Sequence, residues 1–199
     1  MREPKLIVNP EKEEFVEAQG RRFASYAIPT DLITENDDLE ELAIWYAKPL
    51  MQPGDILVLS EKMVACTQGK AKPLDDIKPS RLARFLCRFV RKTDYGIGLA
   101  MPETMQCALN ECGTFRILLA SAAGAVGKLF RQKGWFYYVA GYKASAVDGP
   151  CAFTLPPYDR YVVPAPDQPN ETAAKLSKVL DGALVLIIDL NDIGGRILG

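Results

Sequence analysis

The run from Ala183 to Asp189, Ala-Leu-Val-Leu-Ile-Ile-Asp, carries no polar side chain before its last position. A strand with one wet face alternates apolar with polar residues, and a strand that does not alternate is covered on both faces. The apolar stretch reaches only to Leu190 before Asn191 and Asp192, far short of the ~20 residues a membrane-spanning helix needs. It is therefore expected to be a central strand, for which the rest of the chain supplies cover on both sides.

That cover can be sketched along the chain. With 199 residues and 48% hydrophobic composition, one sizeable core is possible. Residues 1–22 are polar and charged with little periodicity and read as an extended or loosely docked arm, and residues 23–199 read as a single domain. Asn36-Asp37-Asp38-Leu39 looks like a helix start, with acids at the positive end of the dipole. Leu39, Leu42, Ala43 and Tyr46 follow at helical spacing, and the helix should stop before Pro49. After the turn residues Gln52-Pro53-Gly54-Asp55, Ile56 to Leu59 is a short buried strand, and a second strand is expected through Met63 to Thr67. Ser80 caps a helix with Leu82, Phe85, Leu86 and Phe89 inward and Arg81, Arg84, Arg88 and Arg91 on the other face. That basic stripe either meets phosphates or is a solvated outer face.

Beyond the glycine-containing segment Tyr95 to Gly98, Pro102 opens a helix through Leu109 that ends near Gly113. Strands are expected at Phe115–Ala120 and Trp135–Val139, followed by a loop from Gly141 to Gly149. Asn170 is expected to cap a helix with Ala173, Leu176 and Val179 facing inward. Helices and strands mixed without a regular βαβ alternation point to the α+β class, a mixed β-sheet with packed helices.

Composition also limits the chemistry. A net charge of −1 from 24 basic and 25 acidic residues gives no overall bias toward nucleic acid or membrane, so neither is an expected partner and any anion site has to be local. The first residues lack the pattern of a secretion signal, which makes cytoplasm the expected compartment. Five cysteines (Cys66, Cys87, Cys107, Cys112, Cys151) without a C-x-x-C pair fit neither a disulfide framework nor a structural zinc site and read as reduced, mostly buried thiols. Histidine is absent, which excludes imidazole triads and His-ligated zinc or haem. Carboxylate, lysine, arginine, hydroxyl, thiol and backbone amide remain.

Gly124-Ala125-Val126-Gly127-Lys128 fails as a phosphate loop, because Ala122 stands where glycine is needed and Leu129 where a hydroxyl would bind magnesium. It reads as a close-packed turn. Gly96-Ile97-Gly98 lacks the flanking strand and helix of a dinucleotide site. Asp189-Leu190-Asn191-Asp192, at the end of the central strand, offers oxygens suited to a hard cation that also touches phosphate, or simply makes the turn before Gly194-Gly195. Lys143-Ala144-Ser145 is either an anion site of ammonium, hydroxyl and loop amides or an ordinary surface loop.

In order along the chain stand Asn36-Asp37-Asp38-Leu39, Pro53-Gly54-Asp55-Ile56-Leu57-Val58, Lys78-Pro79-Ser80, Ala140-Gly141 with Ala144-Ser145, Leu155-Pro156-Pro157, Ala173 with Leu176, and Ile188-Asp189 with Asn191. This layout resembles the gamma-glutamyl ligases that add glutamate to the deazaflavin coenzyme F420, over roughly residues 27–199. The resemblance implies a guanine nucleotide (GTP) and a divalent metal (Mg or Mn) that activate a substrate carboxylate as an acyl phosphate, which the glutamate amine then attacks. It also implies a phosphorylated small-molecule substrate and a homodimer. By the same resemblance Asp189 and Asn191 would serve the metal, and Lys143, Ser145 and Thr30 the nucleotide or phosphate, while no catalytic residue is assigned.

Several family positions are changed. Leu190 replaces a threonine beside the metal aspartate, Lys143 an aspartate and Ala146 its asparagine. In the family's S-K-x-E-G segment the lysine falls at Cys66 and the glutamate at Gln68, with Gly69 kept, and Thr30-Asp31-Leu32-Ile33 includes about two residues more than the family's L-P-x-I. Two readings follow: a ligase that joins an amino acid to a carboxylate, with the Lys143 ammonium supplying charge a metal would otherwise supply, or a non-catalytic descendant that keeps the fold for ligand binding or dimer assembly. The ligase reading expects Asp189, Lys143 and Ser145 to converge around one anion.

Overall fold

The computed structural model describes residues 1–9, 13–90, 98–132, 134–152, 154–191 and 194–199, apart from the side chains of Asn191 and Gly194. Arg91, the segment from Tyr95 to Ile97, and Asp192 lie outside the described residues.

The chain opens with strands β1 (Ile7–Val8), β2 (Phe15–Ala18), β3 (Arg21–Ala24) and β4 (Tyr26–Ala27). β2 and β3 form an antiparallel hairpin, and β1 pairs with β4. Every side chain of β2 and β3 is exposed. Residues 1–22, expected as an extended or loosely docked arm, contain extended backbone that is paired in β1 and β2, and β3 crosses the boundary drawn after residue 22. Arg2 ties this region down: its amide donates to Asp31 Oδ2 at 2.9 Å and its guanidinium pairs with Asp31 at 3.1 Å.

Helix α1 (Leu39–Leu42) starts as expected. Asp38 Oδ1 accepts from the amides of Glu40 and Glu41, and a wider turn carries the helix on to Ala47. Strand β5 (Ile56–Ser60) buries Leu57 and Leu59 and is followed at once by α2 (Glu61–Thr67). The strand expected through Met63–Thr67 is therefore a helix. Ser60 Oγ accepts from the Lys62 amide, so the chain winds where the strand ends, and Val64, Ala65 and Cys66 fill the core.

After the short strand β6 (Lys72–Pro73), helix α3 (Arg81–Leu86) is capped by Ser80 as expected. Leu86 is buried and Leu82 half-buried, but Phe85 and Phe89 are 55% and 61% exposed. Ala83 and Cys87 take the inward places instead, and the helix tightens after Leu86, turning Phe89 outward. Arg81, Arg84 and Arg88 are exposed.

Helix α4 (Pro102–Cys112) begins with Pro102 and closes at Gly113, again as expected. The two strands expected next are helices, α5 (Thr114–Leu129) and α6 (Trp135–Ala140). The apolar run at Phe115 continues through Ser121-Ala122-Ala123-Gly124-Ala125, and 16 residues is a helix length, not a strand length. In α6 the strand propensity of Trp-Phe-Tyr-Tyr-Val yields to packing. Gly124 and Gly127 of α5 let Phe136 and Trp135 approach so closely that an added Cβ would sit 3.2 and 3.1 Å from them. The glycines that look like a phosphate loop are a helix contact.

Helix α7 (Tyr142–Ser145) occupies part of the expected 141–149 loop, and β7 (Tyr161–Val162) pairs with β6. Helix α8 (Pro169–Val179) is capped at Gln168 and not at Asn170, because Pro169 takes the first helical position. Ala173 and Leu176 are buried and Val179 is half-buried. Strand β8 (Leu184–Asn191) is the centre of a mixed sheet, parallel to β5 and antiparallel to β9 (Gly194–Ile197). The architecture is α+β with a mixed sheet, as expected. Two apolar clusters sit on either side of a polar seam. One lies among α3 to α7, around Leu99, Met105 and Ile117, and the other joins β5, β8 and α8 through Val64, Leu176 and Ile187. Cys66, Cys87 and Cys107 are buried free thiols, while Cys151 is exposed.

Leu176 is fully buried between α8 and the sheet, so Leu176→Ala should lower unfolding free energy by about 2–5 kcal/mol in urea titrations. A loss under about 1 kcal/mol would mean that α8 does not pack as described.

Candidate functional site

Polar groups gather in two places along the seam. The first follows from the parallel register that sets Ser60 beside Ile188. Glu61, the residue after the strand, thereby reaches the carboxyl of Asp189. Glu61 is 6% exposed, and Oε2 has no hydrogen-bond partner among the described residues. Burial, then the charges of Asp189 and Asp148, push its carboxyl up to about 8. Asp189 is raised as well, by burial and then by Asp148. Lys62 Nζ pairs with Asp148 Oδ2 at 2.8 Å. Burial works against that ammonium, yet Asp148 and then Cys151 and Glu61 hold its pKa above the usual lysine value.

The second gathering is an ionic tetrad. Lys70 Nζ lies 2.9 Å from Glu111 Oε2 and 3.0 Å from Asp167 Oδ2, and Lys143 Nζ lies 2.7 Å from Asp167 Oδ1 and 3.5 Å from Glu111 Oε2. Its partners come from the loop after α2, from α4, from α7 and from the loop before α8. Gln68 locks it: Nε2 donates to the Asp167 carbonyl at 2.9 Å, and the Asp167 amide donates to Oε1 at 2.7 Å. A glutamate at 68 would have no N–H for the first of these bonds. The hydrogen bond from Lys143, and behind it those from Lys70, hold the Asp167 carboxyl below its ordinary value, and Asp167 in turn raises Lys143.

Beside the tetrad opens a cleft of about 690 Å³. It is lined by Tyr142 and Lys143 of α7, by Asp167, by the first turn of α8 (Asn170, Glu171) and by Arg196 of β9. The volume suits a small organic ligand. Arg196 stands opposite Asp189 in the β8–β9 ladder, so the cleft and the first polar gathering meet across one strand pair.

Of the residues singled out above, Lys143 lines this cleft. Asp189 faces Glu61 and Asp148 instead, and Asn191 ends β8 opposite Gly194. Ser145 Oγ donates to the Tyr142 carbonyl at 2.9 Å within α7. Thr30 adjoins Asp31, whose carboxylate accepts from the Tyr46 hydroxyl at 3.0 Å. The expected convergence of Asp189, Lys143 and Ser145 on one anion is not what the geometry shows, because Lys143 is neutralised by acids of its own and Ser145 by a backbone carbonyl. Among the described residues no group of three or more acidic or cysteine side chains is arranged to hold a metal ion. The described donors at Asp189 therefore do not by themselves make a divalent-cation site.

Glu61, Lys62, Lys70, Asp167 and Arg196 were not singled out from the sequence. Glu61-Lys62 directly after a buried strand was the available signal, since strand ends line clefts.

A scan against protein families matches residues 27–197 to the F420-0:Gamma-glutamyl ligase family. The chain belongs to that family. No curated protein matches it. Family membership supports a ligase-type function, and no helix among the described residues is long and apolar enough to cross a membrane.

Because Glu61 binds its proton more tightly folded than unfolded, the folded state takes up protons and loses relative stability as pH rises from its ordinary value of 4.5 to about 8. In metal-free buffer Glu61→Gln should therefore be more stable than the parent at pH 8, by up to a few kcal/mol, with the difference shrinking toward pH 5. Parallel stability-versus-pH curves for the two proteins would show that Glu61 is ionised at neutral pH.

Proposed function

We propose that this family member is an amide-forming ligase that joins an amino acid to a substrate carboxylate in the Lys143–Arg196 cleft. The observation that carries the reading is the lining of that cleft. Two cations, Lys143 and Arg196, and two acids, Asp167 and Glu171, line a volume fit for a small ligand, and the first turn of α8, which has no side-chain cap, lines it too. An amino acid needs both signs of charge, and a phosphorylated acceptor needs cations and free amides.

GTP is the proposed phosphate donor: its γ-phosphoryl group passes to the substrate carboxylate as GDP leaves, and the neutral amine of glutamate then attacks the acyl phosphate, releasing inorganic phosphate and a proton to solvent. Chain residues act by position and charge. Lys143 swings from Asp167 to the phosphorylated group, Arg196 holds a carboxylate or phosphate bidentately, and Asp167, once released, accepts the incoming ammonium. A divalent cation (Mg or Mn), for which Asp189 and Asn191 would suffice only together with oxygens of the bound nucleotide, a homodimer and a cytoplasmic site belong to the same proposal. The cation would supply charge neutralisation on phosphate oxygens.

A non-catalytic ligand-binding or dimeric descendant is the second reading. It is favoured by one observation: Lys143 and Lys70 are already fully matched by Glu111 and Asp167.

Thermal denaturation with guanine or adenine nucleotides, with and without manganese, tests the nucleotide binding that the ligase reading requires, and release of inorganic phosphate from GTP in the presence of glutamate separates a ligase from a descendant that only binds. A ligand at 100 times its Kd stabilises by about 2.7 kcal/mol, which for a chain of this size raises Tm by several degrees. The ligase reading expects such a rise with a guanine nucleotide and its loss in Lys143→Ala. A full shift retained in Lys143→Ala overturns the role of Lys143, and no shift with any nucleotide leaves the second reading.

A further inference from the structure

Helix α5 is apolar on two opposite faces. Ile117, Ala120 and Gly127 are buried, and Gly124 packs against Phe136 of α6. The other face carries Phe115, Leu118, Leu119, Ala122, Val126 and Leu129, all exposed, at steps of i, i+3, i+4, i+7, i+11 and i+14. That spacing is one straight stripe along the helix. Phe115 is 81% exposed and Leu129 80%, and Phe130 at the end of the stripe is 66% exposed. No charged residue interrupts the stripe. The two cations on α5 itself are drawn away from it: Arg116 Nε donates to the Val139 carbonyl and Lys128 Nζ to the Phe89 carbonyl, each at 2.9 Å.

A surface helix keeps one apolar face, and a helix apolar all round is a buried helix. Taking ~150–200 Å² for a fully exposed large apolar side chain, the stripe with Phe130 presents on the order of 600 Å². That is at the top of what a monomer ordinarily leaves in one patch. Doubled, it reaches the ~1,200 Å² at which specific protein interfaces begin.

We propose that α5 is the self-association face of this protein, two copies crossing antiparallel about a two-fold axis at Ala122. The stripe is self-complementary in that arrangement. Phe115 meets the partner's Leu129 and Leu118 meets the partner's Val126, large against branched. At the axis the small side chain of Ala122 lets the two helices approach closely, and their dipoles oppose. This rests on the homodimer reading above only in requiring a second copy, and it names the surface that reading leaves open.

Light scattering on the full chain, Leu119→Glu, and Ala122→Cys in a Cys151→Ser background test it. The expected result is a parent particle of twice the 22.0 kDa chain mass, a single-chain mass for Leu119→Glu with unchanged far-UV circular dichroism, and quantitative cross-linking of Ala122→Cys by a short bis-maleimide. The cross-link keeps the test intact if Leu119→Glu fails to fold. A dimeric parent whose Leu119→Glu variant stays dimeric and whose Ala122→Cys variant does not cross-link overturns the α5 face while leaving the homodimer standing. A monomeric parent at tens of micromolar overturns both.

Discussion

The tetrad of Lys70, Glu111, Lys143 and Asp167 is the joint of the molecule. It links elements of the two apolar clusters, its four side chains coming from the loop after α2, from α4, from α7 and from the loop before α8. Two cations and two carboxylates together carry no net charge, so their partial burial avoids the cost of an isolated ion. Gln68 fixes the backbone of Asp167 from both sides. The loop before α8 is held there, and with it part of the cleft lining.

Seen from that joint, the changed family positions form a set. Lysine at 143 requires carboxylates beside it, and Glu111 and Asp167 provide them. Glutamine at 68 supplies the N–H that holds Asp167. At the other end of the seam Glu61 leans on Asp189 while Lys62 neutralises Asp148. A buried carboxyl whose proton affinity is raised, and the Lys62 ammonium, occupy the neighbourhood where the family layout leads one to expect metal ligands. Under the proposed ligase reading a ligand in the cleft exchanges with these internal partners, and its binding strength then depends on how easily Lys143 leaves Asp167.

The sequence carried the sheet centre well, because an uninterrupted aliphatic run between turn residues admits few placements. Ser80, Asp38, Pro102 and Gly113 were legible for the same kind of local reason, being caps and breakers whose chemistry acts within one turn. Phe115–Ala120 and Trp135–Val139 were misread as strands because their helical state is decided by contact between them: Gly124 and Gly127 admit Phe136 and Trp135, a tertiary fact invisible in either segment. The family was recognisable from an ordered set of short matches. The site was less so, since Lys143 was found but its three partners are 24 to 73 residues away in sequence, and single positions do not announce such pairings.

Lys143 and Asp167 act as one coupled unit in the lining of the cleft. A double-mutant cycle with Lys143→Met and Asp167→Asn, read by urea unfolding at neutral pH and low salt, measures that coupling directly. A coupling energy on the order of 1 kcal/mol that weakens with added salt is the predicted result. Additivity within about 0.3 kcal/mol at both ionic strengths would contradict it.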